Sequence, residues 1–533
     1  MTVFDILKIT APKFPDNIAV THGSKNITYR ELLAASEKLA SRLSALDLDK
    51  GARVALLCEN TIEYVIQFFA VFAAGYVVVP LDTSLKPETL GHILKDCRAE
   101  VLLLHSKYRR HLGQIITGNS SLKLIICDKK IEPAPAAIQF EILGHILAET
   151  GEKPIEEHHS SDEPDGKLNL DEAYRLAGSS PRELAAIFYT SGSTGASKGV
   201  MLSHRNLVSN TVATVDYLKL RRDDSVIVIL PFYYIYGNSL LLTHILAGAR
   251  LVIDNRFLYP EVILDTMEKE KVTGFSGVPS NFIILLNNST MVSRDWPHLR
   301  YFTQAGGSMA PEIIRKLIDN YPDKEIYIMY GQTEASPRVS YCPPEKLKNK
   351  IGTIGIPVPG VKMTVVDENG REQPPGHTGE LVVDGDNVML GYWNQSEETG
   401  LALRDGRLYT GDLAARDDDG YFYITGRKKE ILKVGGNRVS AKEIEECLLS
   451  YDRVLEAAVI GIPDELLGES IMAVIVTRNG RPCDPGELKN FCKARLADHK
   501  VPKYVEFIGS LPKQKTGKVD KIRLKKTFEV KSS

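Results

Sequence analysis

The stretch AAIFYTSGSTGASKGVMLS, residues 185–203, decides how the rest of the chain is read. A short apolar run, AAIFY (185–189), leads into a loop of small and hydroxyl residues, and the chain leaves it through GVMLS (199–203). A glycine-dense loop after a strand can point several backbone N–H groups at one spot, which makes a cradle for phosphate oxygens. Thr190, Ser191, Ser193, Thr194 and Ser197 add donors, Gly192 and Gly195 let the backbone turn, and Lys198 adds a point charge. A Walker A loop would need Gly before the lysine and Ser or Thr after it. Here Ser197 and Gly199 stand there, so an ordinary P-loop ATPase is disfavoured. A flexible Gly/Ser linker is disfavoured too, because a linker would not sit between two apolar runs.

Working outward, RVALLC (53–58), YVVVPL (76–81), VLLLH (101–105) and KLIIC (123–127) precede the loop. VIVIL (226–230), ARLVID (249–254), LRYFTQ (299–304) and EIYIMY (325–330) follow it. Runs apolar on both faces and separated by helical segments predict parallel strands covered on both sides, hence an α/β protein. Thr28–Glu31 and Ser440–Glu443 read as capping boxes opening helices. FFAVFAAGYVVVP (68–80) divides at Gly75 into a buried helix and a buried strand, and is too short to span a bilayer. From about 351 to 425 the pattern changes to short strands broken by Gly and Pro. DENG and DDDG are turn signals, which account for the acidic run Asp417–Asp419 without a metal. EKPIEEHHSSDEPDGK (152–167) reads as an exposed connection, and its adjacent His158 and His159 make a poor metal pair. After Gly426 the chain turns basic, GRKKEILK, and its remainder reads as a small α+β domain. The expected division is 1–427, with a β-rich part at about 351–425, and 428–533.

The chain has 533 residues, 43% hydrophobic and 25% charged, which calls for more than one folded unit. Its formal charge of -2 removes the broad basic footprint that nucleic-acid binding needs. Seven cysteines without a CxxC pair suit a reducing compartment. The N-terminus has no signal-peptide pattern, so a cytoplasmic protein with no membrane span is expected.

Three further motifs carry chemistry. MYGQTEAS (329–336) follows the strand EIYIM, placing Tyr330, Gly331, Thr333 and Glu334 at the carboxyl edge where open α/β sheets bind ligands. Glu334 suits Mg²⁺, which takes one or two carboxylates plus phosphate oxygens. In YTGDLA (409–414), Asp412 can accept two hydrogen bonds from a ribose diol or simply cap a turn. LPKQKTGKVDK (511–521) sets lysines around Thr516–Gly517; alone it would read as a solvated basic tail.

Together, in this order, these motifs resemble the adenylate-forming superfamily: acyl-CoA synthetases, adenylation domains of peptide synthetases and beetle luciferases. AAGYVVVPLDTSL (73–85) and AGGSMAP around Gly306–Gly307 match its patterns too. The resemblance covers essentially the whole chain. It implies a large N-terminal domain of two parallel-rich α/β subdomains and a small β-barrel-like one, followed by a small mobile α+β domain. It also implies an AMP-forming acyl-CoA synthetase using ATP, Mg²⁺ and coenzyme A.

By that resemblance, Thr190, Ser191, Ser193, Thr194 and Lys198 hold the β- and γ-phosphates. Thr333 meets the α-phosphate and Glu334 the metal. Tyr330 lies against adenine with Gly306 and Gly307 opposite, and Asp412 and Arg427 lie at the ribose. Lys518 is the catalytic lysine and Lys429 the hinge. PFYYIYGN (231–238) aligns with a motif in which many relatives carry His; this chain has Tyr234, so a His-dependent second step is not expected. Tyr234, Tyr236 and Gly237 either line the substrate end or pack the core. KVGGNRVSAKEIEE (433–446) resembles acyl-CoA synthetases, and Gly435–Gly436 would let the backbone approach a pantetheine arm. Coenzyme A is therefore the expected acceptor, with a separate carrier protein as the alternative.

Overall fold

The computed structural model describes residues 1–131, 138–148, 170–191, 197–464, 466–480, 483–513 and 519–529. The stretch 152–167, with His158 and His159, lies outside them. So do Gly192, Ser193, Thr194, Gly195 and Lys518.

The apolar runs form two large sheets. One has nine strands, and its central members Ser225–Val228, Arg250–Ile253, Gly274–Gly277, Tyr301–Gln304 and Glu325–Gly331 run parallel. The other has eight, with Arg53–Leu57, Val77–Pro80, Val101–Leu104 and Leu124–Cys127 parallel at its heart. Antiparallel pairs close both edges of the nine-stranded sheet and one edge of the eight-stranded sheet, whose other edge strand, Gln139–Ile142, runs parallel to its neighbour. One hydrophobic core spans the two sheets, holding Val54, Val78 and Val101 of one with Val226 and Tyr301 of the other. The helix Ile235–Ala247 is buried along its whole length, its polar Asn238, Ser239, Thr243 and His244 included. Gly75 stands between the helix Ile62–Ala73 and the strand Val77–Pro80, as the sequence pattern anticipates. Among the described residues no helix is long and apolar enough to cross a membrane.

A third, antiparallel sheet of five strands gathers Val361–Val366, Gly379–Gly385, Leu403–Arg404, Arg407–Arg416 and Phe422–Arg427. The acidic turn beside it is structural: Asp417 and Asp419 both pair with Lys350, at 2.7 and 2.6 Å. The chain then passes through one helical turn, Lys428–Glu430, into a fourth sheet with its own two core clusters.

The capping box at Thr28 forms: its side chain accepts from the Glu31 amide and Glu31 answers at the Thr28 amide. The one expected at Ser440 does not. The Ser440 hydroxyl donates to the Thr425 carbonyl at 2.6 Å, and Lys442 reaches the neighbouring Ile424 carbonyl. The hydroxyl is spent on tying the last strand of the third sheet to the start of the fourth, which leaves none for the helix end.

His244 is wholly buried in its helix. Its Nδ1 lies 2.9 Å from the Leu240 carbonyl, which can only accept, so that nitrogen carries the proton and Nε2 accepts from the Tyr301 hydroxyl, also at 2.9 Å. The neutral ring is fully satisfied, and burial pushes its pKa down to about 4. The unfolded value lies near 6.5, so the unfolded chain binds the extra proton between those limits. The contribution is therefore whole above pH ~6.5 and is lost as pH falls toward 4, by about 2 kcal/mol at pH 5. Urea unfolding at pH 7 and pH 5 checks this. His244→Gln is expected to be less stable at pH 7 but to lose about 2 kcal/mol less than the parent on acidification. An equal loss would remove His244 from the account.

Candidate functional site

The site begins where the strand Glu325–Gly331 ends. Tyr330 Oη donates to Asp412 Oδ2 at 2.5 Å, and Arg427 Nε donates to Asp412 Oδ1 at 2.6 Å. Asp412 and Arg427 are direct partners on adjacent antiparallel strands of the third sheet, so register alone brings the carboxylate and guanidinium together. The Asp412 side chain is only 3% exposed, whereas Arg427 is about half exposed. Desolvation and then the Asp412 charge push the Tyr330 hydroxyl well above its ordinary value. The Asp412 charge, against the opposing effect of burial, raises Arg427. Asp412 is thus held by two committed donors, with lone pairs left for a hydroxylated ligand.

Past Tyr330 the backbone makes a tight return. Gly331 faces Arg338 across the sheet, and a Cβ on Gly331 would stand 1.9 Å from the Pro337 carbonyl oxygen. Thr333–Ala335 form a single helical turn inside this loop. Three asparagines fasten it. Asn387 Nδ2 donates to the Ala335 and Arg338 carbonyls at 3.0 and 3.1 Å, and the Asn387 backbone carbonyl accepts from Ser336 Oγ at 2.8 Å. Asn210 exchanges two hydrogen bonds with the Arg338 backbone, as a neighbouring strand would. Asn206 Nδ2 donates to the Asp386 and Val388 carbonyls, which fixes the segment carrying Asn387. Thr333 and Glu334 are thus placed by a polar lattice in which the loop's buried backbone groups are satisfied. Sequence reading missed all three. Asn206 and Asn210, four apart in a helix otherwise buried among apolar residues, were the available signal.

Lys198 stands on the strand Ser197–Ser203, whose open edge is taken by the two-residue strand Gly391–Tyr392. Tyr392 is opposite Val200, and the Trp393 amide donates to Gly199 O at 2.7 Å. Tyr392 Oη donates to Glu334 Oε1 at 2.8 Å, while Lys198 Nζ lies 5.1 Å from the centre of the same ring. Lys198 also pairs with Glu398, and that hydrogen bond and charge hold the Glu398 carboxyl below its usual range. One tyrosine therefore bridges the lysine of the glycine-rich loop and the acid of the return turn. Tyr392 and Glu398 carry no motif and were not anticipated. Glu334 Oε2 accepts no bond from a described residue, so the carboxylate can serve one metal ion together with phosphate oxygens. Among the described residues no cluster of three metal-ligating side chains exists.

The remaining expected residues divide. Gly306 has φ 84°, and a Cβ there would lie 3.0 Å from both Tyr234 Oη and Val278. Tyr234 thus closes on the Gly306–Gly307 segment. Tyr236 and Gly237 are committed to packing: Tyr236 Oη donates to Thr303 O at 2.9 Å, and a Cβ on Gly237 would meet Pro231 O at 2.1 Å. Gly435 and Gly436, at φ 56° and 81°, are the central pair of the hairpin joining Ile431–Val434 to Asn437–Ser440, a turn that demands two positive φ angles. Thr190 Oγ1 lies 3.5 Å from the Lys198 carbonyl in its own hairpin, and Ser191 pairs with Ser197 in that ladder. Lys429 occupies the turn between the third and fourth sheets.

Comparison with known proteins shows which family shares this fold. Residues 7–393 match the model of the AMP-binding enzymes and residues 443–518 that of the AMP-binding enzyme C-terminal domain. The chain is 32% identical over 529 residues to a long-chain-fatty-acid–CoA ligase of Bacillus subtilis, covering 98% of this chain and 94% of that one. It is 33% identical over 517 residues to a feruloyl-CoA synthase of Amycolatopsis, with 96% of both covered. Among solved structures, ATP-bound MatB from Rhodopseudomonas palustris superposes with a TM-score of 0.84 at 29% identity over the full length of both chains.

Proposed function

The chain belongs to the family of AMP-binding enzymes, and from that premise we propose how its residues share the work. It is an AMP-forming acid–thiol ligase. ATP and a carboxylic acid give an acyl-adenylate and pyrophosphate; coenzyme A then takes the acyl group and AMP leaves. The observation that carries the assignment of roles is the convergence of the Tyr330–Asp412–Arg427 cluster with the Thr333–Glu334 turn at one strand end.

Asp412 takes the ribose hydroxyls, supported by its two fixed donors and spare lone pairs. Tyr330 presents its ring to adenine, with Gly306 and Gly307 on the other side, where the lack of side chains leaves room. Thr333 donates to the α-phosphate. Lys198 and the hydroxyls of Thr190, Ser191, Ser193 and Thr194 receive the β- and γ-phosphates, which displace Glu398 from Lys198. Glu334, oriented by Tyr392, would hold Mg²⁺, which would supply positive charge against the phosphates. Lys518 approaches from the C-terminal domain and neutralises the negative charge that gathers as the carboxylate attacks phosphorus. Positioning and cationic stabilisation carry such a step.

The chain divides at 427/428, and the C-terminal domain turns about Lys429 between the half-reactions. Lys429→Pro fixes φ in that turn and is expected to slow one half-reaction about tenfold more than the other. Single-turnover adenylation and acyl-AMP-to-thioester rates measure the two separately; equal losses would remove the hinge role.

The acids named for the relatives range from long-chain fatty acids to ferulate and o-succinylbenzoate, so the family leaves the acid open. The deciding experiment supplies ATP, Mg²⁺ and an acid panel, with coenzyme A or a phosphopantetheinylated carrier protein. AMP and pyrophosphate, with acyl-CoA by mass spectrometry, are expected. Release of ADP would overturn the reading, and acylation of the carrier alone would transfer the second step to that acceptor.

A further inference from the structure

Arg338 is the largest side chain buried to this degree, with 2% of its surface exposed. No carboxylate among the described residues pairs with it. Its guanidinium Nε is enclosed and makes no hydrogen bond. The contact its charge does make is with the face of Tyr236, whose ring centre lies 4.0 Å from the guanidinium carbon. A cation–π contact recovers only part of what burying an ion costs, and buried arginines are ordinarily matched by an acid. The charge is therefore uncompensated until something anionic arrives.

Its place in the fold says what that is. Arg338 lies across the sheet from Gly331, directly beside the turn that presents Thr333 and Glu334. Its charge acts on the hydroxyls of Tyr234 and Tyr236, at the start of the helix Ile235–Ala247, and Tyr234 in turn closes on Gly306. One helical turn beyond Tyr234, Asn238 is fully buried with both its amide oxygen and its amide nitrogen unpartnered. A cation against Tyr236 and an amide two residues further along the same helix are thus both left unsatisfied. A pocket for a plain hydrocarbon chain would carry neither.

We infer that Arg338 receives a second carboxylate on the acid being activated, so that the preferred substrate is a short dicarboxylic acid. Arginine presents a planar fork of donors that a carboxylate matches with two parallel hydrogen bonds. Asn238 Nδ2 is a further donor to the same group. The closeness of Arg338 to Gly331 keeps the two carboxylates of the substrate a short chain apart. This rests on the ligase reading above and names its substrate class.

The test uses the full chain with ATP, Mg²⁺ and coenzyme A, and pairs of acids differing only by methyl for carboxylate: succinate with butyrate, glutarate with valerate, adipate with hexanoate. AMP formation is followed for each. The parent enzyme is expected to favour the diacid of at least one pair about tenfold or more in kcat/KM. Arg338→Met is expected to lose about 30-fold on that diacid with the matching monoacid changed less than about threefold, and Arg338→Lys to recover part of the loss. Preference of the parent for the monoacid in every pair overturns the inference whether or not the variants fold. An equal fall on both acids in Arg338→Met makes the residue structural and also overturns it. No AMP from any of these six short acids also overturns the inference; no AMP from the wider acid panel described above would sink the ligase reading itself, which is a distinguishable failure.

Discussion

Lys518→Ala is expected to slow acyl-adenylate formation by about 10²–10³-fold while leaving thioester formation from supplied acyl-AMP within about threefold. In the first half-reaction a carboxylate must approach an already anionic phosphate, and negative charge gathers on the α-phosphoryl oxygens. A positioned ammonium group acts only on that step. In the second half-reaction a thiol attacks a neutral acyl carbonyl and a stable AMP anion departs, so the same lysine has nothing comparable to neutralise. Pyrophosphate release measures the first rate and acyl-CoA formation from synthetic acyl-AMP the second. A variant that releases pyrophosphate at the parent rate would refute the assignment; one equally damaged in both steps would make Lys518 a structural residue.

Gly331→Ala is expected to lower adenylation about 100-fold with a stability cost of about 1–3 kcal/mol. The added methyl would stand 1.9 Å from the Pro337 carbonyl oxygen and 2.8 Å from its carbon, and both are backbone. No rotamer change relieves such a clash; the strand must part from its neighbour or the 333–337 turn must move. That turn carries Thr333 and Glu334, and Asn210 and Asn387 hold it from the other side. A shift of about 1 Å at these groups is enough to account for the loss. Half-time measurements of adenylation, with urea unfolding in parallel, separate the two effects. Near-parental activity would show that the loop can yield without cost to the chemistry.

The two clusters of the site differ in how far they could be read in advance. Tyr330, Thr333 and Glu334 sit in one short motif after a recognisable strand, so order along the chain was enough to place them at a sheet's carboxyl edge. Asp412 was legible from its own motif as a ribose acceptor or a turn cap, and Arg427 was set beside it at the ribose by the resemblance alone; their direct pairing depends on the register of two strands joined by a hairpin. Tyr392 and Glu398 left no trace, because their meeting with Glu334 and Lys198 needs an edge strand from 391–392 to cross back onto a sheet begun at residue 53. The pair Tyr236–Gly237 went the other way. Aromatic and small residues in a motif suggest a pocket, but the helix turns Tyr236 inward to Thr303 and spends Gly237 on contact with Pro231.

Local chemistry was therefore enough to establish an α/β protein with a glycine-rich loop after a strand, a strand-end acid and a basic C-terminal motif, since hydrophobic period and turn residues act over a few positions at a time. Folding in three dimensions added the partners. The buried charge of Arg338 against Tyr236, the asparagine lattice around the return turn and the tyrosine linking Lys198 to Glu334 join residues 50 to nearly 200 positions apart. Nothing in a linear pattern encodes which distant polar group will meet which, because that depends on how the sheets pack and where their edges close.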